Sequence, residues 1–139
     1  MEVNKIYNED CLLTMSNMDD CFIDLVVTSP PYDNLREYKN KIDKTWGEGV
    51  WKPILKELYR VVKNGGVVVW IVGDATINGS ETGTSFKQAL FAMDCGFKLH
   101  DTMIYEKNSS TYPSSKNSVR YSQIFEYMFV FSKGKPKTT

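Results

Sequence analysis

Histidine and cysteine are scarce in this sequence of 139 residues, which has one His and three Cys. Cys11, Cys21 and Cys95 are far apart and never form a Cys-x-x-Cys pair, so the chain offers too few nitrogen and sulfur ligands for a zinc site. A catalytic triad or a Cys-His pair would depend on His100 alone, and His100 lies in a predicted strand. We therefore expect no metal site, and three reduced, mostly buried thiols.

Long apolar runs and glycine-rich nucleotide loops are also missing. The apolar run 67–72 is far shorter than the roughly 20 residues that cross a membrane. The first residues, Met-Glu-Val-Asn-Lys, lack the basic-then-apolar order of a signal peptide. Gly73, Gly79 and Gly83 have neither the Gly-x-Gly-x-x-Gly spacing nor a phosphate-loop lysine. The sequence therefore predicts a cytoplasmic protein with no membrane contact and no complete dinucleotide site.

Net charge is absent as well, because 17 Lys and Arg balance 17 Asp and Glu. The balance is uneven along the chain, since residues 98–139 carry seven basic and three acidic side chains. A basic face is typical of nucleic-acid binders, because phosphate contacts supply much of their affinity. A solvated lysine-rich tail is the commoner explanation of such an excess, so charge alone leaves both interpretations open.

Hydrophobic periodicity predicts alternating strands and helices in a single α/β domain. Strands are predicted at 24–28, 67–72, 98–106 and 123–132. One helix follows the apolar spacing from Trp51 to Val62 and is expected to stop at Gly65-Gly66. The other helix is marked by Phe86, Leu90 and Met93, with Thr84 or Ser85 as its N-cap and Gly96 as its terminator.

This order predicts a sheet covered by helices on both faces, with ligands bound beyond the carboxyl ends of its strands. Three connections lie at those ends: 29–50, 73–83 and 108–122. The first and the last are long for a compact domain and are therefore candidates for function.

Ser29-Pro30-Pro31-Tyr32 begins the first of these connections. Most Pro-Pro pairs are only turns. Here, however, the two prolines stiffen the backbone directly beyond a buried strand. They hold a hydroxyl, a free carbonyl and an aromatic ring at the edge where ligands bind. That combination can accept hydrogen bonds from an amino group while the ring stacks on a flat base.

The segment resembles the catalytic motif, Asp/Asn/Ser-Pro-Pro-Tyr, of the amino-group DNA methyltransferases. The resemblance is to the branch in which this motif precedes the glycine-rich cofactor loop. Residues 6–12 resemble that branch's Gly-Asp-Cys element, with Glu9 in place of Gly. Residues 58–66 resemble its Arg-Val-Leu-Lys-Pro-Gly-Gly element, and 95–97, 125–126 and 130–134 complete the order, with Phe125 where the family often has His.

The resemblance implies a three-layer, Rossmann-like sheet that binds S-adenosylmethionine at its strand ends. It assigns cofactor binding to Asp10, Cys11 and Thr28, although Asp10 is equally well explained as a helix N-cap. It also implies catalytic roles for Ser29, Pro30, Pro31 and Tyr32. Serine at the first motif position favours cytosine N4 as the methylated atom, with adenine N6 as the alternative.

The family's Phe-x-Gly-x-Gly loop is expected after the last strand but is not found before Thr139. We therefore expect residues 1–139 to be the catalytic part of a single methyltransferase domain, truncated at its C-terminus. Alone, such a part is expected to bind the cofactor weakly and to be inactive. Two alternatives stay open: methylation of another planar amide or amine, and a non-catalytic remnant that binds DNA or a subunit.

DNA is the expected partner, with a restriction nuclease of the same system as a further one. Aromatic and basic side chains in the long connections are candidates for DNA contact, although most such residues only pack or remain solvated. The sheet edge that truncation would leave open also predicts self-association as a homodimer. The DNA candidates are Tyr38, Lys107, Tyr112, Lys116 and Arg120.

Overall fold

The computed structural model describes residues 1–32, 46–109 and 119–137. Three of the predicted DNA contacts, Tyr38, Tyr112 and Lys116, lie outside these ranges. The elements in chain order are α1 (Cys11–Ser16), β1 (Ile23–Thr28), α2 (Glu48–Val61), β2 (Val62–Val72), β3 (Thr76–Ile77), β4 (Ser80–Glu81), α3 (Thr84–Asp94), β5 (Lys98–Glu106) and β6 (Phe125–Ser132).

Four strands form the main sheet in the order β1-β2-β6-β5. Strands β1 and β2 are parallel, whereas β6 is antiparallel to both β2 and β5. Strand β5 therefore runs in the direction of β1 and β2, and the start of β6 lies at the edge where the other three strands end. The predicted α/β class is confirmed. Within the described ranges, no helix has the length and apolar character needed to span a bilayer.

The hydrophobic core lies on one face of this sheet. The register places Trp70 opposite Phe129 and Val68 opposite Phe131, so the four side chains share a face. All four are at most 3% exposed and form one cluster with buried residues of the three helices. The buried helix residues of this cluster are Met15, Trp51, Leu55, Leu58, Val61, Ala89 and Ala92.

The opposite face of the sheet is largely open in the described part of the chain. Leu25 and Val27 of β1 are 58% and 62% exposed, and they pair with Val67 and Val69 of β2. Met103 of β5 is also exposed. The described residues supply helices to one face only, so the second helix layer of the expected three-layer sheet is not among them.

Helix α2 ends at Val61, earlier than its sequence predicts. Val62 has an extended backbone, is fully buried and pairs with Ile23, so it begins β2 rather than continuing the helix. Gly65 lies inside the strand with a φ of 82°, where its N–H donates to the carbonyl of Lys133. The glycine pair therefore lies within β2, where the pairing with β1 skips from Val62 to Val67, and does not terminate α2.

The buried face of α3 is not the predicted one. Phe86, Leu90 and Met93 are 48%, 63% and 45% exposed, whereas Ser85, Gln88, Ala89 and Ala92 are buried. Small side chains let the helix approach the sheet closely, and Gln88 meets the indole of Trp70 there. The predicted cap is also wrong in detail, since Gly83 is the N-cap residue and Asp74 accepts from the Ser85 N–H and hydroxyl.

Candidate active site at the carboxyl edge of the sheet

The Ser29–Tyr32 segment leaves the sheet at the carboxyl end of β1. Thr28, the last residue of β1, pairs with Trp70, so the segment starts beside the end of β2. Pro30 is buried, whereas Ser29 is exposed and Tyr32 half-buried. A Cβ atom added to Gly73 would lie 3.6 Å from the Tyr32 ring, so this ring packs beside the residue that follows β2.

Hydrogen bonds connect this segment to the first residues of strand β6. The Tyr32 hydroxyl lies 3.0 Å from Ser29 Oγ and donates to Glu126 Oε2 at 2.7 Å. The other carboxylate oxygen of Glu126 forms an ion pair with Lys107 Nζ at 2.6 Å. Lys107, predicted to contact DNA, therefore lies beside the predicted catalytic residues and is engaged by Glu126.

Glu126 was not among the residues predicted for the site. It lies 94 positions after Tyr32, and only the insertion of β6 between β2 and β5 brings the two together. One feature of the sequence pointed to Glu126, because Phe125-Glu126 is among the segments that resemble the methyltransferase family. Periodicity alone does not show that β6 runs antiparallel and starts at the carboxyl edge.

A cavity of about 510 Å³ lies between α1, α2 and the end of β1. Its wall includes predicted cofactor residues, Cys11 and Thr28, and three predicted catalytic residues, Ser29, Pro30 and Pro31. This volume is within the range of small-molecule sites, roughly 300–1,000 Å³. The structure therefore brings five of the predicted site residues to one cavity.

Polar groups of three kinds are available in the cavity wall. Glu9 contributes a carboxylate and Thr28 and Ser29 contribute hydroxyls. Trp46 also lines the cavity, and among the described residues its buried Nε1 has no hydrogen-bond partner. The wall can therefore offer both acceptors and a donor to a polar ligand, alongside apolar surface from Leu58 and Trp70.

Asp10 acts as the N-cap of α1. Its Oδ1 accepts a hydrogen bond of 2.8 Å from the Leu12 N–H, which confirms the prediction that Asp10 caps this helix. It is not part of the cavity wall. A contact between Asp10 and a cofactor therefore stays a prediction.

The cysteines are more accessible than predicted, since Cys11 and Cys21 are exposed and Cys95 is half-buried. Desolvation of its thiol, and then the neighbouring Asp10 carboxylate, raise the pKa of Cys11. The thiol at the cavity is therefore protonated at neutral pH and is a poor nucleophile. No group of His, Cys, Asp and Glu in the described ranges is arranged to hold a metal ion.

Arg120 lies at a different place from Lys107. Its guanidinium donates to the carbonyl of Gly79, in the turn between β3 and β4. The neighbouring Val119 and Tyr121 are 100% and 98% exposed. Tyr121 is an aromatic candidate for base contact that the sequence analysis did not name, although it lies in the connection 108–122.

Residues 23–139 match the family model described as DNA methylase, which groups N6 and N4 methyltransferases. The chain belongs to this DNA methylase family. The match includes β1, the Ser29–Tyr32 segment and every later strand of the sheet, and the predicted family is confirmed.

Similar proteins extend this result. The orphan methyltransferase M.BamHII of Bacillus amyloliquefaciens is 61% identical over 122 residues, which are 88% of this chain and 43% of that protein. The PvuII DNA methyltransferase (cytosine-N4-specific) has the same fold, with a TM-score of 0.78 and 24% identity over 94% of this chain and 50% of that one.

A third comparison is with TTHA0409, a putative DNA modification methylase from Thermus thermophilus, complexed with S-adenosyl-L-methionine. The TM-score is 0.64 and the identity 19%, over 94% of this chain and 54% of that one. The chain therefore spans about half the length of each of these three proteins. The predicted Rossmann-like methyltransferase sheet is confirmed for that half.

Proposed function

We propose that this chain is the catalytic part of an S-adenosylmethionine-dependent DNA methyltransferase that modifies the exocyclic amine of a base. The observation that carries the proposal is the position of Ser29 and Pro30, which line a 510 Å³ cavity at the carboxyl edge of a methylase-family sheet. Tyr32 lies beside them with its hydroxyl bonded across the sheet. We favour cytosine N4 as the target, because Ser29 opens the motif and the PvuII enzyme is named as cytosine-N4-specific.

S-adenosylmethionine fits the character of the cavity, which combines carboxylate and hydroxyl groups with apolar surface. Cys11 and Thr28 would contact the cofactor along the wall, and Asp10 would accept a proton from its adenine amino group. When bound, the cofactor would supply a methyl group on a positively charged sulfur. TTHA0409, with the same fold, is complexed with this compound.

The residues of the motif would act on the amine. An exocyclic amine on a base is a poor nucleophile, because its lone pair is delocalised into the ring. Ser29 Oγ and the Pro30 carbonyl would accept its two N–H groups, which favours a pyramidal nitrogen with its lone pair directed at the methyl carbon. Pro31 fixes the backbone between these acceptors and Tyr32.

A base can reach this edge only after it leaves the duplex. The Tyr32 ring would then stack on it, a contact worth about 1–3 kcal/mol. Positioning the amine against the methyl group supplies much of the rate enhancement. No covalent intermediate is needed, in agreement with the protonated Cys11 thiol.

Several finer features belong to the same proposal. Residues 1–139 would form one part of a single methyltransferase domain, with the rest of the cofactor site supplied by further polypeptide. Lys107 and Arg120 would lie on the DNA side, together with Tyr121. A restriction nuclease, a homodimer and a cytoplasmic location stay predictions.

The experiment uses the protein as its own reading frame encodes it, with radiolabelled S-adenosylmethionine and unmethylated genomic DNA, since the recognition sequence is unknown. Digestion to nucleosides and mass spectrometry identify the methylated base. We expect N4-methylcytosine, and a loss of activity of about 100-fold or more in Ser29→Ala and Tyr32→Ala.

Glu106→Gln is the matched control, because Glu106 is an exposed carboxylate at the end of β5. It is expected to be as active as the unaltered protein. Wild-type activity in both motif variants would remove the site assignment. N6-methyladenine as the sole product would keep the site and overturn the choice of base.

A further inference from the structure

We propose that Glu126 is a positioning residue that fixes the direction of the hydrogen bond between Ser29 and Tyr32, so that Ser29 meets the target amine as an acceptor. This inference rests on the proposed function. It concerns a residue 94 positions away from the motif and on a different strand.

The position of Glu126 follows from the topology of the sheet. Strand β6 is antiparallel to β2, and its Tyr127 pairs with Val72, the last residue of β2. Glu126 therefore lies at the level of Gly73, beside which the Tyr32 ring packs. An inserted antiparallel strand thus brings a carboxylate from its start to the edge where β1 and β2 end.

The ion pair with Lys107 defines the chemical state of Glu126. Glu126 Oε1 lies 2.6 Å from Lys107 Nζ, and the Glu126 side chain is 14% exposed. A carboxylate paired with a lysine at this distance is ionised and carries no proton. Glu126 Oε2, 2.7 Å from the Tyr32 hydroxyl, can therefore only accept.

The number of available protons then fixes the direction of the hydrogen bond between Ser29 and Tyr32. A tyrosine hydroxyl has one proton, and Tyr32 donates it to Glu126. The bond of 3.0 Å between Tyr32 and Ser29 must then use the serine proton, with the Tyr32 oxygen as acceptor. The order of donation is Ser29 to Tyr32 to Glu126.

This order matters for the reaction because a serine hydroxyl can donate or accept. With its proton directed at Tyr32, Ser29 presents its lone pairs to the incoming amine, whose N–H groups need acceptors. If Tyr32 instead donated to Ser29, the serine proton would be free to face the amine protons. Glu126 therefore selects the productive arrangement without contacting the base.

The test is a double-mutant cycle in the same methylation assay, with Glu126→Gln, Tyr32→Phe and both changes together. Glutamine keeps the size of the side chain but can also donate, so the order of donation is lost. We expect Glu126→Gln to lower the single-turnover rate constant about tenfold or more, with the DNA dissociation constant changed by less than about twofold. In the Tyr32→Phe background the same change should have less than about a twofold effect, since the hydroxyl it acts through is gone.

Glu106→Gln serves again as the control, and urea midpoints show whether each variant is folded. An unaltered rate in folded Glu126→Gln, while Ser29→Ala is inactive, would overturn the inference and leave the proposed function intact. An equal loss in the Tyr32→Phe background would also overturn it, because Glu126 would then act independently of Tyr32. Failure of the proposed function looks different: the unaltered protein would transfer no methyl group to DNA.

Discussion

The guanidinium of Arg60 donates to the carbonyl oxygen of Met15 at 2.7 Å, which joins the last turn of α2 to the end of α1. A second bond of 3.0 Å runs to the carbonyl of Met18. The Met15 carbonyl also accepts from the Met18 N–H, and Met18 lies just beyond the end of α1, so Arg60 ties the segment that leaves α1 to α2. Met15 and Met18 both line the cavity, so this bond also holds one wall of the candidate site.

Replacement of Arg60 by Met is expected to destabilise the fold and to loosen α1. The guanidinium also bonds Glu57 and Asp20, whose carboxylates raise its pKa further above neutrality, so it is charged at neutral pH. We expect the melting temperature to fall by several degrees in calorimetry. Lys63→Met is the control, because Lys63 forms an exposed ion pair with Asp24 and such pairs contribute little. Equal melting temperatures for the two variants would show that the carbonyl bonds add nothing.

The buried hydrogen bond between Trp70 and Gln88 is expected to stabilise the fold, which accounts for the polar residue that α3 presents to the core. Trp70 Nε1 donates to Gln88 Oε1 at 2.8 Å, and both residues are 1% exposed. Gln88→Leu leaves the indole N–H unsatisfied, which should cost about 1–3 kcal/mol in urea unfolding. Trp70→Phe with Gln88→Leu removes both partners, so its cost should be less than the sum of the single changes. A strictly additive cycle would contradict this account.

Local features of this fold were predictable from the sequence, whereas the buried face of α3 was not. The strand at 24–28 and the motif beyond it were predicted, because a short β-branched run and a rigid Pro-Pro segment are local signals. The buried face of α3 was not, because periodicity favours the large apolar Phe86, Leu90 and Met93 over small residues and Gln88. Close packing against the sheet and the need of Trp70 for a partner decide that face, and both are tertiary effects.

Glu126 illustrates the second limit. Its contact with Tyr32 depends on which strand lies between β2 and β5 and in which direction it runs. Neither is encoded within a short window of sequence. The open face of the sheet could not be predicted for the same reason, since an apolar strand pattern does not show whether a helix packs on each face.

Gly96 is expected to tolerate substitution poorly. Its φ is 116°, and an added Cβ would lie 2.7 Å from the Tyr59 hydroxyl. Gly96→Ala should therefore lower the free energy of unfolding by about 2 kcal/mol or more, through backbone strain and the clash together. Gly134 has a φ of 73° and nothing within 4 Å of an added Cβ, so Gly134→Ala should cost only about 1 kcal/mol. Urea titration of both variants measures the difference, and equal losses would show that the Tyr59 contact is relieved at no cost.

Cys11 provides a pH-dependent reporter of the cavity. Its pKa is raised from the ordinary value of 9.0 by desolvation and by Asp10, so the folded state holds the thiol proton more tightly than the unfolded state does. The stability that this contributes is fully present below pH 9 and is lost as the pH rises above it. Alkylation of Cys11 by iodoacetamide, followed by peptide mass spectrometry, should therefore be slow at about pH 7, rise with pH as the thiolate forms, and level off only above about pH 9.

The Asp10→Asn variant separates the two causes of this shift. It removes the neighbouring negative charge and keeps a side-chain oxygen that can cap α1, so alkylation of Cys11 should accelerate at a lower pH than in the unaltered chain. In a protein that binds S-adenosylmethionine, the cofactor should slow the reaction further, because Cys11 lines the cavity. Alkylation as fast at neutral pH as that of a free thiol would contradict the raised pKa. Unchanged alkylation with saturating cofactor would show that the cofactor lies elsewhere.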